Sequence, residues 1–111
     1  MGEAEENLRS NTTARKLQLR QELNNIQQRD TSITSYTLKI KELCDALRSI
    51  DVVIDDSEMV QICPGGLAPR FNTMRTVVLA REKTPSFFDL QSILLVEENY
   101  ARRTNALLPV G

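Results

Sequence analysis

The residues best suited to chemistry in this chain are two adjacent acid pairs, Asp55-Asp56 and Glu97-Glu98, and two thiols, Cys44 and Cys63. A carboxylate pair can share a proton in acid–base work or hold a divalent metal ion. Both uses need the two groups to converge on one point, and neighbours on a helix diverge by roughly 100°. Helix capping accounts better for the first pair and solvation for the second. The chain has no histidine, which removes the commonest general base and every Ser–His or Cys–His nucleophile pair. Cys44 falls on an apolar stripe, where burial raises a thiol's pKa and blunts it. Cys63 stands before a proline at a helix end and reads as the more open thiol, with no neighbour to activate it. Two cysteines without histidine are too few for a zinc site or a disulfide framework, so both are expected as free thiols in a reducing compartment. Gly65-Gly66 lacks the Gly-Lys-Ser/Thr ending of a phosphate loop and reads as a helix stop. The expectation is a protein that is not an enzyme and uses no cofactor and no metal.

Composition points the same way. A chain of 111 residues, 41% hydrophobic and 26% charged, matches a single globular domain with a modest core. Its net charge of −1 leaves no broad basic field for phosphates. Arg15, Lys16 and Arg20, with Arg102 and Arg103 near the end, are better read as solvated helix faces, so direct nucleic-acid binding is not expected. The longest apolar run, Ile93-Leu94-Leu95-Val96, is far too short for a bilayer. The start, Gly2-Glu3-Ala4-Glu5-Glu6, is acidic where a signal peptide would be basic, and Glu6 stands where a myristoylation motif has Ser or Thr. No membrane association is expected, and an intracellular protein, cytoplasmic or nuclear. The Asn11-Thr12-Thr13 sequon then has no consequence.

These residues must be positioned by helices. From residue 11 to about 28 good helix formers carry Leu19, Leu23 and Ile26 on one face, with Leu17 pointing almost opposite. Ser32 can cap a second helix, whose stripe of Ile33, Tyr36, Ile40, Leu43, Leu47 and Ile50 is the clearest periodicity in the chain. Asp55 as N-cap places Glu58 at the third position of a capping box, and Ile54 and Met59 at the positions of a hydrophobic staple. Pro64-Gly65-Gly66 ends that helix near Ile62 or Cys63. The next begins at Ala68 with Pro69 at its first position, points Phe71, Met74 and Val78 inward and runs to about Arg81. Ser86 and Asp89 open the last, with Phe87, Leu90, Ile93, Leu94 and Val96. No segment alternates with period two. The sequence therefore predicts an all-α, compact bundle of about five helices. Residues 1–10 are expected to be a disordered N-terminal segment, 11–106 the helical domain and 107–111 a C-terminal tail. The predicted core includes Leu23, Ile40, Leu43, Leu47, Phe71, Met74, Leu90 and Leu94.

Four segments in order also carry a family likeness. Ala14-Arg15-Lys16-Leu17-Gln18-Leu19-Arg20, Ser35-Tyr36-Thr37-Leu38-Lys39-Ile40-Lys41-Glu42-Leu43, Gly66-Leu67 with Pro69-Arg70-Phe71, and Ser86-Phe87-Phe88-Asp89-Leu90-Gln91-Ser92-Ile93-Leu94-Leu95 with Glu97-Glu98 resemble the Gag polypeptide of Copia-type LTR retrotransposons. The likeness spans residues 12 to 102. Within it, Ile26-Gln27-Gln28, a turn, then Tyr36, Lys39, Ile40 and Leu43 resemble the major homology region of retroviral capsid C-terminal domains. In that region a turn and a helix are tied together by polar residues, and the resemblance puts Gln28, Tyr36 and Lys39 in those places. Arg29 stands where the motif usually has Gly, and Pro64 where the Copia pattern has an aliphatic helix residue.

The resemblance implies a retroviral capsid C-terminal-domain-like fold and a structural, non-catalytic domain mediating dimerisation and assembly, its partner being another copy of itself. Such domains commonly dimerise through the helix after the homology region, which implies Met59 and Val60 as contacts; inward packing of both is the competing reading. Leu17 and Leu95, off the main stripes, are the further interface candidates. The Cys-Cys-His-Cys knuckle, protease and polymerase regions and upstream Trp stretch that accompany this part of Gag have no counterpart here. A domesticated host copy and a portion cut from a longer Gag are both compatible with that. A domesticated fold could instead serve as an adaptor for another host protein.

Overall fold

In the computed structural model, the backbone is described for residues 2–107 and the side chains for residues 12–103. Five helices follow one another: α1 (Gly2–Asn24), α2 (Ile33–Arg48), α3 (Asp56–Gly65), α4 (Asn72–Leu79), entered through a 3-10 turn at Pro69–Phe71, and α5 (Phe87–Leu107). No strand occurs among the described residues. The architecture is the all-α bundle predicted from periodicity. α1 and α5 pack on α2, and α3 packs on α4 and α5.

α2 is the central element because its stripe is the longest. Ile33, Tyr36, Ile40, Leu43 and Leu47 are all buried, and Cys44 widens the same face. Leu19 and Leu23 of α1, Val60 and Cys63 of α3, Phe71, and Leu90 and Leu94 of α5 close over it. Met74 departs from the predicted core. It is only half-buried, because α4 is two turns long and touches the bundle mainly through Val78. Leu17 lies on the far side of α1 from Leu19 and Leu23 and is 60% exposed.

Helix ends depart from the sequence reading in instructive ways. α1 starts at Gly2, taking in most of the 1–10 segment expected to be disordered. Glu3, Ala4, Glu5 and Glu6 are good helix formers, and acids near an N-terminus favour the helix dipole. The helix stops at Asn24, four residues short of the predicted end. α5 reaches Leu107. Met1 and residues 108–111, most of the expected tail, lie outside the described residues. α3 continues through Pro64 to Gly65 instead of stopping at Ile62 or Cys63. A proline in the last turn forfeits one backbone bond only, and its ring is buried in the core. α4 ends at Leu79 with Ala80 as its C-cap, before the predicted Arg81. At the end of α2, Asp51 takes a left-handed conformation (φ 66°). The Val52 N–H then donates back to the Leu47 carbonyl at 2.9 Å, the long bond of a Schellman ending usually made through Gly.

The N-caps are those the sequence names. Ser32 Oγ accepts from the Ser35 N–H at 3.1 Å, Asp55 Oδ1 from the Glu58 N–H at 2.8 Å, and Ser86 Oγ from the Asp89 N–H at 3.1 Å. The capping box of α3 is half made. Glu58 turns away from the Asp55 backbone to accept from Arg20 of α1 at 3.1 Å, clamping α1 to α3. That pair is 38% exposed on each side, so it registers the helices more than it stabilises them.

Leu47 is fully buried on the central helix, so Leu47→Ala should destabilise by about 2–5 kcal/mol, whereas Leu17→Ala on the exposed face should stay within about 0.5 kcal/mol. Urea titration followed by helical circular dichroism measures both. A Leu47→Ala cost below that of Leu17→Ala would place the α2 stripe outside the core.

Candidate interaction surface and the buried turn

Three of the four acids first considered for chemistry bond to helix ends. Asp55 caps its own helix, while the Asp56 carboxylate accepts from the Phe87 N–H at 3.0 and 3.1 Å, capping α5 from α3. Glu98 Oε2 accepts from the Ile33 N–H at 2.9 Å, capping α2 from α5. Glu97 is half-buried beside it. Two helices thus have their first N–H groups satisfied by a neighbouring helix, an arrangement that fixes relative position as well as the ends. Between them, buried Thr37 donates to the Ile33 carbonyl at 2.8 Å and accepts from Gln91 at 2.8 Å. Among the described residues no cluster of three or more His, Cys, Asp or Glu side chains could hold a metal ion.

The thiols are both free and buried. Cys63, read from sequence as the more open one, is fully buried, and burial pushes its pKa up to about 12. The reading fails because α3 does not fray at Pro64 and its last turn is packed under Tyr36. Cys44 is also shifted upward, first by burial and then by the Asp45 and Glu58 carboxylates, with Arg20 opposing.

The turn between α1 and α2 is tied to the end of α3 and the segment after it by several hydrogen bonds. Gln28 is fully buried. Its Nε2 donates to the Thr31 carbonyl at 3.0 Å, and its Oε1 accepts from the Ala68 N–H at 3.0 Å. Its own N–H donates to the Gly66 carbonyl at 2.8 Å. Thr31 Oγ1 closes the turn on the Gln28 carbonyl at 2.6 Å. Tyr36, also buried, donates its hydroxyl to the Cys63 carbonyl at 2.6 Å, satisfying the end of α3. Burial raises its phenol pKa well above the usual value, and nearby Cys63 adds to this. Arg29 has φ 52°, so the position where the homology region usually has Gly does adopt the backbone that Gly favours.

Lys39 does not join this network. It sits on the wet side of α2 and is exposed, turned about 60° from Tyr36 and about 100° from Ile40 around the helix. The cation at the turn is Arg70 instead, donating to the Arg29 carbonyl at 3.1 Å and the Thr31 carbonyl at 2.9 Å. Arg70 and Gly66 were not singled out as parts of the turn, although both stand in the Gly66-Leu67, Pro69-Arg70-Phe71 segment. A Cβ on Gly66 would run into the Ile26 carbonyl and the Tyr36 hydroxyl, whereas one on Gly65 would meet nothing.

The four interface candidates fall into different environments. Val60 is 2% exposed within a single chain and lies in the core, so it is unavailable as a contact. Its α3 face is the one that covers α2. Met59 and Leu95 are half-buried against the core, and Leu17 is open. Val96, expected on the apolar stripe of the last helix, is exposed instead, and Phe88 and Tyr100 on α5 and Val53 before α3 are further exposed apolar residues. No helix among the described residues is long and apolar enough to cross a membrane. No protein-family model, curated protein or solved structure matches the chain.

Gly66→Ala should cost roughly 1–3 kcal/mol or more through the enforced clash, while Gly65→Ala should be neutral or gain up to about 1 kcal/mol. Denaturant midpoints of the two variants decide this, and equal effects would refute the close approach at Gly66. The raised Cys63 pKa also has a sign. Above the ordinary thiol range, near pH 9, the unfolded thiol has lost its proton and the folded one keeps it, so stability falls as pH rises toward about 12. The slope is at most about 1.4 kcal/mol per pH unit from this group, with Tyr36 adding to it at higher pH. Urea midpoints at a mildly and a strongly alkaline pH should differ in the wild type, and the difference should shrink in Cys63→Ala, the remainder belonging to Tyr36 and Cys44.

Proposed function

We propose that this chain is a structural, non-catalytic self-association domain of a Gag-like capsid, its partner being a second copy of itself. One observation carries the reading. Gln28 and Tyr36, which the resemblance to the major homology region puts in the tying positions, make the bonds that tie the α1–α2 turn to the end of α3. The Gly-like backbone at Arg29 agrees with it. Such a turn keeps α1, α2 and α3 in one rigid block. A rigid block can present the same outer faces to each neighbour in a repeating assembly, which is what closed symmetric association requires.

The composition of the surface supports the same reading. Large apolar side chains stand open on α1 and α5, where a protein working alone gains nothing from them. Light scattering on a size-exclusion column should give a mass above that of one chain, rising with concentration into the high micromolar range. A strictly monomeric mass throughout would overturn the proposal.

A further inference from the structure

The outer side of α5 carries a stripe of its own. Asp89, Ile93, Val96, Tyr100 and Arg103 recur at spacings of four, three, four and three, well away from the face that buries Leu90 and Leu94. Val96 is 69% and Tyr100 66% exposed. Beside them Met74 of α4, Ile93, Val96 and Glu97 line a groove of about 290 Å³. Past Val96 the groove continues along Asn99, Tyr100 and Arg103 for about 260 Å³ more.

The order of charges on this stripe selects its occupant. Asp89 precedes Val96 by seven residues and Arg103 follows it by seven, which places each charge roughly 10 Å from Val96 along the axis. Both are exposed. We infer that α5 packs antiparallel against α5 of a second copy, on a two-fold axis passing at Val96. In that register Asp89 of each copy meets Arg103 of the other, so a single symmetry operation forms two ion pairs. Tyr100 falls beside Ser92 and Ile93 of the second copy, covering the apolar groove. A parallel pairing would set Asp89 against Asp89 and Arg103 against Arg103, and opposed helix dipoles favour the antiparallel one as well. The inference rests on the self-association reading and moves its contact from α3 to α5.

Sedimentation equilibrium on the full chain and its variants tests it, with circular dichroism as the folding control. Val96→Asp changes an exposed side chain and should leave the helical signal intact while weakening dimerisation by about a hundredfold or more. Asp89→Arg and Arg103→Asp should each weaken it by about tenfold, since each creates two like-charge contacts, and the double swap should restore it. A Val96→Cys variant should form an intermolecular disulfide under mild oxidation, because the two-fold axis brings the two thiols together. Leu17→Cys should not. A dimer indifferent to Val96→Asp and to the charge swaps, with no crosslink at residue 96, would overturn the α5 contact and leave self-association standing through another face. A monomeric wild type would overturn both.

Discussion

A primary amide with no access to water must place both ends on protein partners, or burying it costs several kilocalories. Gln28 meets that demand by spanning two parts of the chain that are far apart in sequence: the Thr31 carbonyl within its own turn and the Ala68 N–H beyond α3. The span works only because Gly66 brings its backbone against the Ile26 carbonyl with no Cβ in the way. Tyr36 fills the remaining space and donates at 2.6 Å to the Cys63 carbonyl at the end of α3, which otherwise takes only a 3.3 Å bond from the Gly66 N–H. The position of α3, and through it of α4 and α5, follows from this one set of contacts. It is directional, so it specifies a geometry that the surrounding leucines and isoleucines alone would leave adjustable.

A second constraint acts between helix ends. Asp56 on α3 caps α5, and Glu98 on α5 caps α2, so three helices hold one another's termini in turn. Thr37 and Gln91 add a partly buried polar contact between the two capped ends of the α2–α5 pair. Asp55, Asp56 and Glu98 are therefore committed to separate backbone donors on separate helices. The same commitments make the bundle stiff between its two faces. For a domain whose proposed role is to meet copies of itself, that stiffness preserves the angle between one contact and the next.

What was legible in the sequence was whatever depends on local pattern. The α2 stripe, the Ser32, Asp55 and Ser86 caps and the count of five helices all follow from spacing and propensity. Periodicity alone makes Tyr36 one more core residue and leaves Gln28 in a loop, so the bonds both make in the turn carry no local signal. Contacts between distant segments carry no local signal. Nothing near Arg70 in sequence indicates that its guanidinium reaches the Arg29 and Thr31 carbonyls, and Lys39 was misplaced because motif likeness gives a position without its azimuth. Val60 shows a related limit: a helix after a motif can be an interface in one bundle and a core element in another, depending on how many helices cover it. Proline reads as a strict stop that would leave Cys63 open, whereas in a last turn it forfeits little and Cys63 stays buried.

The distribution of apolar surface follows from these same constraints. α3 is ten residues long and uses Val60 and Cys63 on α2, with Met59 turned partly inward, so it has little apolar area left to offer a neighbour. α5 is 21 residues long and needs only part of its circumference for Phe87, Leu90 and Leu94. Its outer stripe is consequently free to hold Val96 and Tyr100 without weakening the core. Leu17 has the same standing on α1, whose inner face is satisfied by Leu19 and Leu23. Exposed apolar residues also occur singly elsewhere, as Leu38 on α2, Val53 before α3 and Val77 and Leu79 on α4, but on α5 Val96 and Tyr100 lie one turn apart on one face. Val96 and Tyr100 are bracketed by Asp89 at one end and Arg103 at the other, which is the order that an antiparallel copy of the same helix complements.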